Sequence, residues 1–354
     1  MNRHIKALEI LQKGTVIPAN PLALNSDRKF DEKRQRALTR YYLDAGVGGI
    51  AVAVHTTQFE IRDPEINLFE IVLKTAVEEI ERFEIGNNKT IVRVAGVCGK
   101  KEQAVMEAEI AKKYGYDAVL LSPGGLNDLS EDEMVERTKA VAEVIPVIGF
   151  YLQNAVGGRP LSYNYWQKIC EIDNVVAIKA APFNRYQTLD LVRATALSSR
   201  SDKIALYTGN DDNIVLDLIT KYSFCVDDKT YEKRFVGGLL GHWSVWAKTA
   251  VDMFKMLNEA VEMNMITPEI LSLAVEVTDT NAVFFDAANG FKGCIAGLHE
   301  VLRRQGILEG IWCLNPNETL SKGQSEEIDR VYKMYPHLND DEFVRQNIEK
   351  WLKD

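Results

Sequence analysis

Lys179 stands in the run VVAIKAAP, residues 175–182. A lysine among apolar residues loses hydration of its charge, which favours the neutral amine. A neutral amine attacks a carbonyl carbon and forms an imine. The plain alternative is a lysine at a strand end whose head reaches water; spacing alone leaves the two level. Tyr151 closes the run PVIGFY, residues 146–151, and counting by twos puts Val147, Gly149 and Tyr151 on one face of a strand. A phenol beside an amine can relay protons during carbinolamine formation and bond cleavage. A core aromatic with a bonded hydroxyl is the simpler reading of Tyr151 alone.

Two further clusters carry polar groups. His55-Thr56-Thr57-Gln58 offers hydroxyls and backbone amides suited to a carboxylate, and His55 titrates near neutrality when unperturbed. β-branched residues are also ordinary strand endings. In Thr208-Gly209-Asn210-Asp211-Asp212, Gly209 lets backbone approach a ligand, and the two aspartates read as caps of the helix that follows. Other chemistries find no motif: GxSxG, HExxH and the Walker loop are absent. His299-Glu300 has no second histidine at metal spacing, and Gly46, Gly48 and Gly49 precede a strand rather than follow one. Nothing calls for a metal or an organic cofactor.

These residues need a scaffold, and its signature is alternation. Eight short runs rich in β-branched residues recur at 14–20, 48–55, 90–97, 117–123, 146–152, 174–180, 203–209 and 234–245. Amphipathic stretches separate them, including 30–45, 100–115 and 130–144, the last opened by Ser130 with acids in its first turn. The spacing predicts βα units closing into a (β/α)8 TIM barrel, with functional residues at the C-terminal strand ends. Beyond residue 245 the pattern is helical, giving a barrel over 1–249 and a helical appendage over 250–354.

Composition bounds the function. The 354 residues include 51 acidic and 42 Lys or Arg side chains, a formal charge of −9. That balance excludes the basic footprint of a nucleic-acid binder and offers no attraction to anionic membranes. The five cysteines are scattered without a CxxC pair, which reads as reduced thiols in a cytoplasmic protein. No apolar run approaches the ~18 residues of a membrane span, and the first residues lack a signal-peptide core.

The ordered set of motifs resembles the dihydrodipicolinate synthase/N-acetylneuraminate lyase family of Schiff-base aldolases, from about Gly14 to Val245. GTVIPANPL is similar to the family's opening strand, and AGVGGIAVAVHTTQFE to the segment that ends in paired threonines. PVIGFYLQNAVGGRPLS resembles the tyrosine-bearing motif, and VVAIKAA the segment of the imine lysine. The separation 179 − 151 = 28 residues matches the family's spacing. YTGNDD and GHWSV fall on its last two strand signatures.

The resemblance implies that Lys179 forms the imine, Tyr151 shuttles protons and Thr57 orients Tyr151. It implies that Thr56 holds the keto acid's carboxylate and that Gly209, Asn210, Trp243 and Ser244 line the wall. It also implies a homo-oligomer, dimer or tetramer. The chain departs from the pattern at three places. HTTQF replaces a glycine-flanked motif with a terminal acid. Val156 occupies the position of an arginine, with Arg159 three residues on. Gly124 and Gly125 follow Pro123 where tyrosines are usual.

The expectation is therefore a lyase acting on pyruvate or a 2-keto-3-deoxy sugar acid, with His55, Gln58, Gln153, Asn154 and Asn210 binding hydroxyls. A hydro-lyase acting on a deoxy keto acid through the same imine, and a non-catalytic keto-acid-binding barrel, are the alternatives.

Overall fold

The computed structural model describes residues 2–353. Each of the eight runs contains a strand: β1 (Val16–Pro18), β2 (Gly49–Val52), β3 (Val92–Val97), β4 (Ala118–Leu121), β5 (Val147–Leu152), β6 (Val175–Ala181), β7 (Ala205–Thr208) and, last in the barrel, Phe235–Leu240. All are parallel to their neighbours. The ring closes between the first two strands: Ala19 bridges Ala51, and the Asn20 amide donates to the Ala51 carbonyl at 2.8 Å. The fold is the (β/α)8 barrel with C-terminal helices that the alternation implied.

One insertion was not legible in the runs. An antiparallel hairpin of β8 (Tyr222–Val226) and β9 (Lys229–Lys233) precedes the last barrel strand, which is therefore β10. Its two-residue turn, Asp227-Asp228, has φ of 48° and 61°, the left-handed pair that a tight hairpin requires.

The helices follow local rules. α1 (Arg3–Lys13) begins at Asn2, whose side chain accepts from the His4 amide. Its Ala7 and Leu11 join the barrel's interior cluster, and Tyr207 donates its hydroxyl to the Leu11 carbonyl at 2.8 Å. The N-terminal end of the barrel is thereby plugged. α2 (Glu32–Ala45) is capped by Asp31 and stopped by left-handed Gly46. α3 (Phe69–Asn87) and α4 (Lys101–Lys113) follow, then α5 (Glu131–Ala142) with a Ser130–Glu133 capping box. α6 (Tyr163–Cys170), α7 (Arg185–Ala196) and α8 (Ile214–Ile219) complete the outer layer.

The tail contains α9 (Ala247–Glu262), α10 (Pro268–Phe284), α11 (Cys294–Arg304), α12 (Gln324–Met334) and α13 (Asp341–Trp351). It packs back on the barrel. Trp351 is fully buried, its ring 5.4 Å from Tyr41 of α2 and 5.5 Å from Phe343. The Tyr41 hydroxyl donates to Asp340 at 2.7 Å. Among the described residues no helix is long and apolar enough to cross a membrane.

Candidate active site

With one barrel end plugged, the C-terminal ends of the strands surround a cavity of about 550 Å³, its open mouth included. Lys179 on β6 reaches into it. Side chains alternate along a strand, so Ala177, Lys179 and Ala181 share the inward face, and both alanines belong to the interior cluster. Lys179 is only 8% exposed, and its Nζ lies 4.6 Å from the centroid of the Phe150 ring. Burial pushes its ammonium below the ordinary lysine value, against the opposing charge of Asp211.

The residue across the sheet from Lys179 is Phe150, not Tyr151. The expected placement of Tyr151 beside the amine is thereby corrected. The β5–β6 register shifts where Val147 pairs Val175 and Ile148 pairs Ala177, so β6 carries one extra residue. Such a bulge moves every later partner by one and reverses which face meets the amine. Ile148, Phe150 and Leu152 point inward, while Tyr151 packs in the outer layer with its ring 5.2 Å from Trp166. Its hydroxyl accepts the Leu161 amide at 3.0 Å.

The threonines separate in the same manner. After β2 the chain makes a tight turn over His55–Thr57. The Thr56 hydroxyl is buried on the cavity wall, without a hydrogen-bond partner among the described residues. Thr57 instead donates to the Asn20 carbonyl at 2.7 Å and does not meet Tyr151, contrary to the role the resemblance implied. His55 lines the cavity, its imidazolium held down to about 4 by enclosure and by Lys179.

A family model for the dihydrodipicolinate synthetase family matches residues 12–221. The chain belongs to that family. Among curated relatives it is 29% identical to a 4-hydroxy-tetrahydrodipicolinate synthase of Clostridium novyi over 191 residues, 53% of this chain and 60% of that protein. It is 27% identical to the enzyme of that name from Oceanobacillus iheyensis, over 56% of this chain and 63% of the relative. The chain thus matches somewhat under two thirds of these relatives' length. The fold extends further. A crystal structure of dihydrodipicolinate synthase from Oceanobacillus iheyensis superposes with a TM-score of 0.74 at 18% identity, covering 94% of this chain and 99% of that one. N-acetylneuraminate lyase from Fusobacterium nucleatum gives 0.69 at 16%, covering 92% and 99%.

Within this family member, several expected wall residues lie elsewhere. Gln58 accepts the Leu314 amide at 2.6 Å and does not line the cavity. Asn154 is exposed outside it. Asn210 is buried but committed: it accepts the Phe183 amide and donates to Asp217 and Thr188. Trp243 packs behind the last strand against Gly238, and Ser244 donates to the Ala19 carbonyl, so neither reaches the cavity. Gln153 and Gly209 do line it. A Cβ on Gly209 would stand 2.8 Å from the Ala181 Cβ and 2.9 Å from Lys179 Cγ, so this glycine makes room for the lysine itself.

The departures from the family motifs have structural consequences. Val156 forms part of the cavity wall, and Arg159 donates to carbonyls of the 126–129 loop instead of reaching in. Reading from the sequence also missed Phe150, Phe183, Phe285 and Cys294, which line the cavity, and misread Asp211. Asp211 does not cap α8, whose N-cap is Asn213 without a side-chain bond. It lines the cavity and accepts the His242 amide at 2.8 Å. Phe285 and Cys294 come from the tail, so the appendage shares in the site.

Proposed function

We propose that this chain is a Schiff-base-forming lyase of the aldolase type. The Lys179 amine condenses with the ketone of pyruvate, or of the pyruvoyl end of a longer 2-keto acid. The observation that carries this reading is the sheltered amine at the C-terminal mouth of the barrel, where enzymes of this fold do chemistry. The protonated imine nitrogen then draws electrons from an adjacent C–C or C–O bond as it breaks. The unpartnered Thr56 hydroxyl is a ready donor for the keto acid's carboxylate. Five free thiols suit a reduced, cytoplasmic setting, and family membership supports a homo-oligomer.

The rest of the substrate meets an apolar wall. Gln58, Asn154 and Asn210, the expected partners of sugar hydroxyls, are absent from the lining, while Leu152, Val156, Phe183 and Phe285 form much of it. Such a wall serves a keto acid with an apolar arm better than a 2-keto-3-deoxy sugar acid.

Two readings compete. A hydro-lyase would use the same imine, and product analysis separates it from an aldolase. A non-catalytic keto-acid-binding barrel is favoured by the outward turn of Tyr151 and opposed by the buried amine, which simple binding does not need. Borohydride reduction in the presence of pyruvate, followed by mass spectrometry, decides. A reduced adduct on Lys179 is expected; no adduct with pyruvate or any of a panel of 2-keto acids would leave only the binding reading.

A further inference from the structure

Imine chemistry on a keto acid needs a proton donor at the ketone oxygen and a proton acceptor at the neighbouring carbon. Tyr151 points into the outer layer and Phe150 takes its place beside the amine. Thr57 is bound to Asn20, and neither Thr56 nor Gln153 titrates in the working range. His55, held near 4, is a weak base at neutral pH. The thiol of Cys294 is raised well above its usual value by burial.

Asp211 remains. It is 4% exposed and lines the same cavity as Lys179. Its Oδ1 is fixed by the His242 amide at 2.8 Å, and among the described residues Oδ2 accepts no hydrogen bond. Among the described residues it makes no direct ion pair with Lys179, and both side chains face the one cavity.

We propose that Asp211 is the acid–base group of this site, moving protons among the Lys179 nitrogen, the ketone oxygen and the carbon next to the ketone. The assignment rests on the imine reading of Lys179.

The steps balance from a neutral amine and a neutral carboxyl. As the nitrogen lone pair adds to the keto carbon, the C=O π pair takes the Asp211 proton, and the carboxylate takes a proton from nitrogen. The carboxyl next protonates the carbinolamine hydroxyl, which leaves as water with its C–O pair while the nitrogen lone pair forms C=N. The carboxylate then removes a proton from the neighbouring carbon. That C–H pair becomes the enamine C=C, and the C=N π pair returns to nitrogen. One water has been released and the carboxyl ends protonated, as it began.

Burial lowers the Lys179 ammonium and raises the Asp211 carboxyl, which pushes each toward its neutral form, while the attraction between the two charges opposes both shifts. The other groups around Asp211 do not replace it. Asp212 adds a like charge that raises it further, Cys294 stays a thiol, and the His242 ring is kept neutral by burial.

Hydrogen exchange at the pyruvate methyl in heavy water, followed by NMR, reads this role separately from imine formation. Wild type is expected to give the Lys179 adduct and to exchange; Lys179→Ala is expected to do neither. Asp211→Asn keeps the amine and an oxygen for the His242 amide. It is expected to reach the same end-point adduct, while exchange falls about 10²–10⁴-fold. In Asp211→Ala, added formate is expected to restore exchange in proportion to its concentration. Unchanged exchange in either variant at equal adduct overturns the role of Asp211, as does failure of formate to restore any exchange in an adduct-forming Asp211→Ala. A wild-type protein without an adduct overturns the imine reading instead.

Discussion

Gly209 of the loop after β7 and Lys179 of β6 occupy adjoining space so tightly that a single added methyl at 209 would overlap the lysine's side chain. The lysine's aim therefore depends on a residue with no side chain of its own. Gly209→Ala is expected to leave the barrel folded and to slow pyruvate trapping on Lys179 roughly 10²-fold, the scale of a displacement of about 1 Å in a reacting group. Trapping kinetics beside a circular dichroism spectrum check this; wild-type kinetics would show that the lysine tolerates the shift.

Lys179 is expected to weaken the fold it serves. Lys179→Met fills the same space without an amine to desolvate, and should raise stability at neutral pH by about 1–3 kcal/mol while abolishing the adduct. The sign follows from the lowered folded-state pKa. Between that value and the ordinary lysine value the unfolded chain binds more protons, so wild-type stability rises with pH across that window. The advantage of the methionine variant should shrink as pH climbs toward the ordinary lysine value. Urea unfolding at several pH values measures it.

Methyl exchange of pyruvate should follow a bell in pH. At the acid end the amine is an ammonium and cannot add; at the alkaline end Asp211 has lost the proton it must give. Burial brings the two limbs toward each other by lowering one group and raising the other, and the pair titrates as a unit. His55 and His242 are held near 4, so neither shapes the profile around neutrality. Asp211→Asn should remove the alkaline limb from whatever exchange remains; an unchanged bell would assign that limb to another group.

Tyr151→Phe removes the bond from the Leu161 amide and the longer one that the hydroxyl donates to the Leu161 carbonyl. The loss should be about 1–3 kcal/mol of stability, because a buried donor is left unpaired. Adduct formation and exchange should match wild type. A large loss of exchange with a normal adduct would return the proton relay to the tyrosine.

Much of the architecture was legible because it follows from composition that repeats. Buried parallel strands need β-branched runs on both faces, and all eight runs hold strands in their expected places. The hairpin at 222–233 was not, since its two short strands are largely exposed and carry no Gly or Asn at the turn. Lys179 was readable as a sheltered amine because a charge inside an apolar run is conspicuous. Its neighbour was not, because facing is set by parity and the extra residue in β6 reverses it; Phe150 and Tyr151 are adjacent letters on opposite sides of a wall. Asp211 was mistaken for a cap because an acid before a helix has the same local pattern whichever way its carboxyl turns.

The tail should matter to both stability and shape. Trp351→Ala opens a cavity between α13, Tyr41 and Phe343, and is expected to cost about 3–5 kcal/mol, readable as a drop in thermal midpoint. A midpoint near that of wild type would mean that α13 rests on the barrel without supporting it.

Phe285 and Cys294 complete the cavity from the region joining two tail helices. Selectivity in this scaffold is therefore not the property of the strand ends alone. A chimera that kept these eight strands and borrowed a relative's last hundred residues would inherit the reaction from one parent and part of the substrate range from the other. Mutational libraries aimed at new substrates would do well to begin there, where change leaves Lys179 untouched.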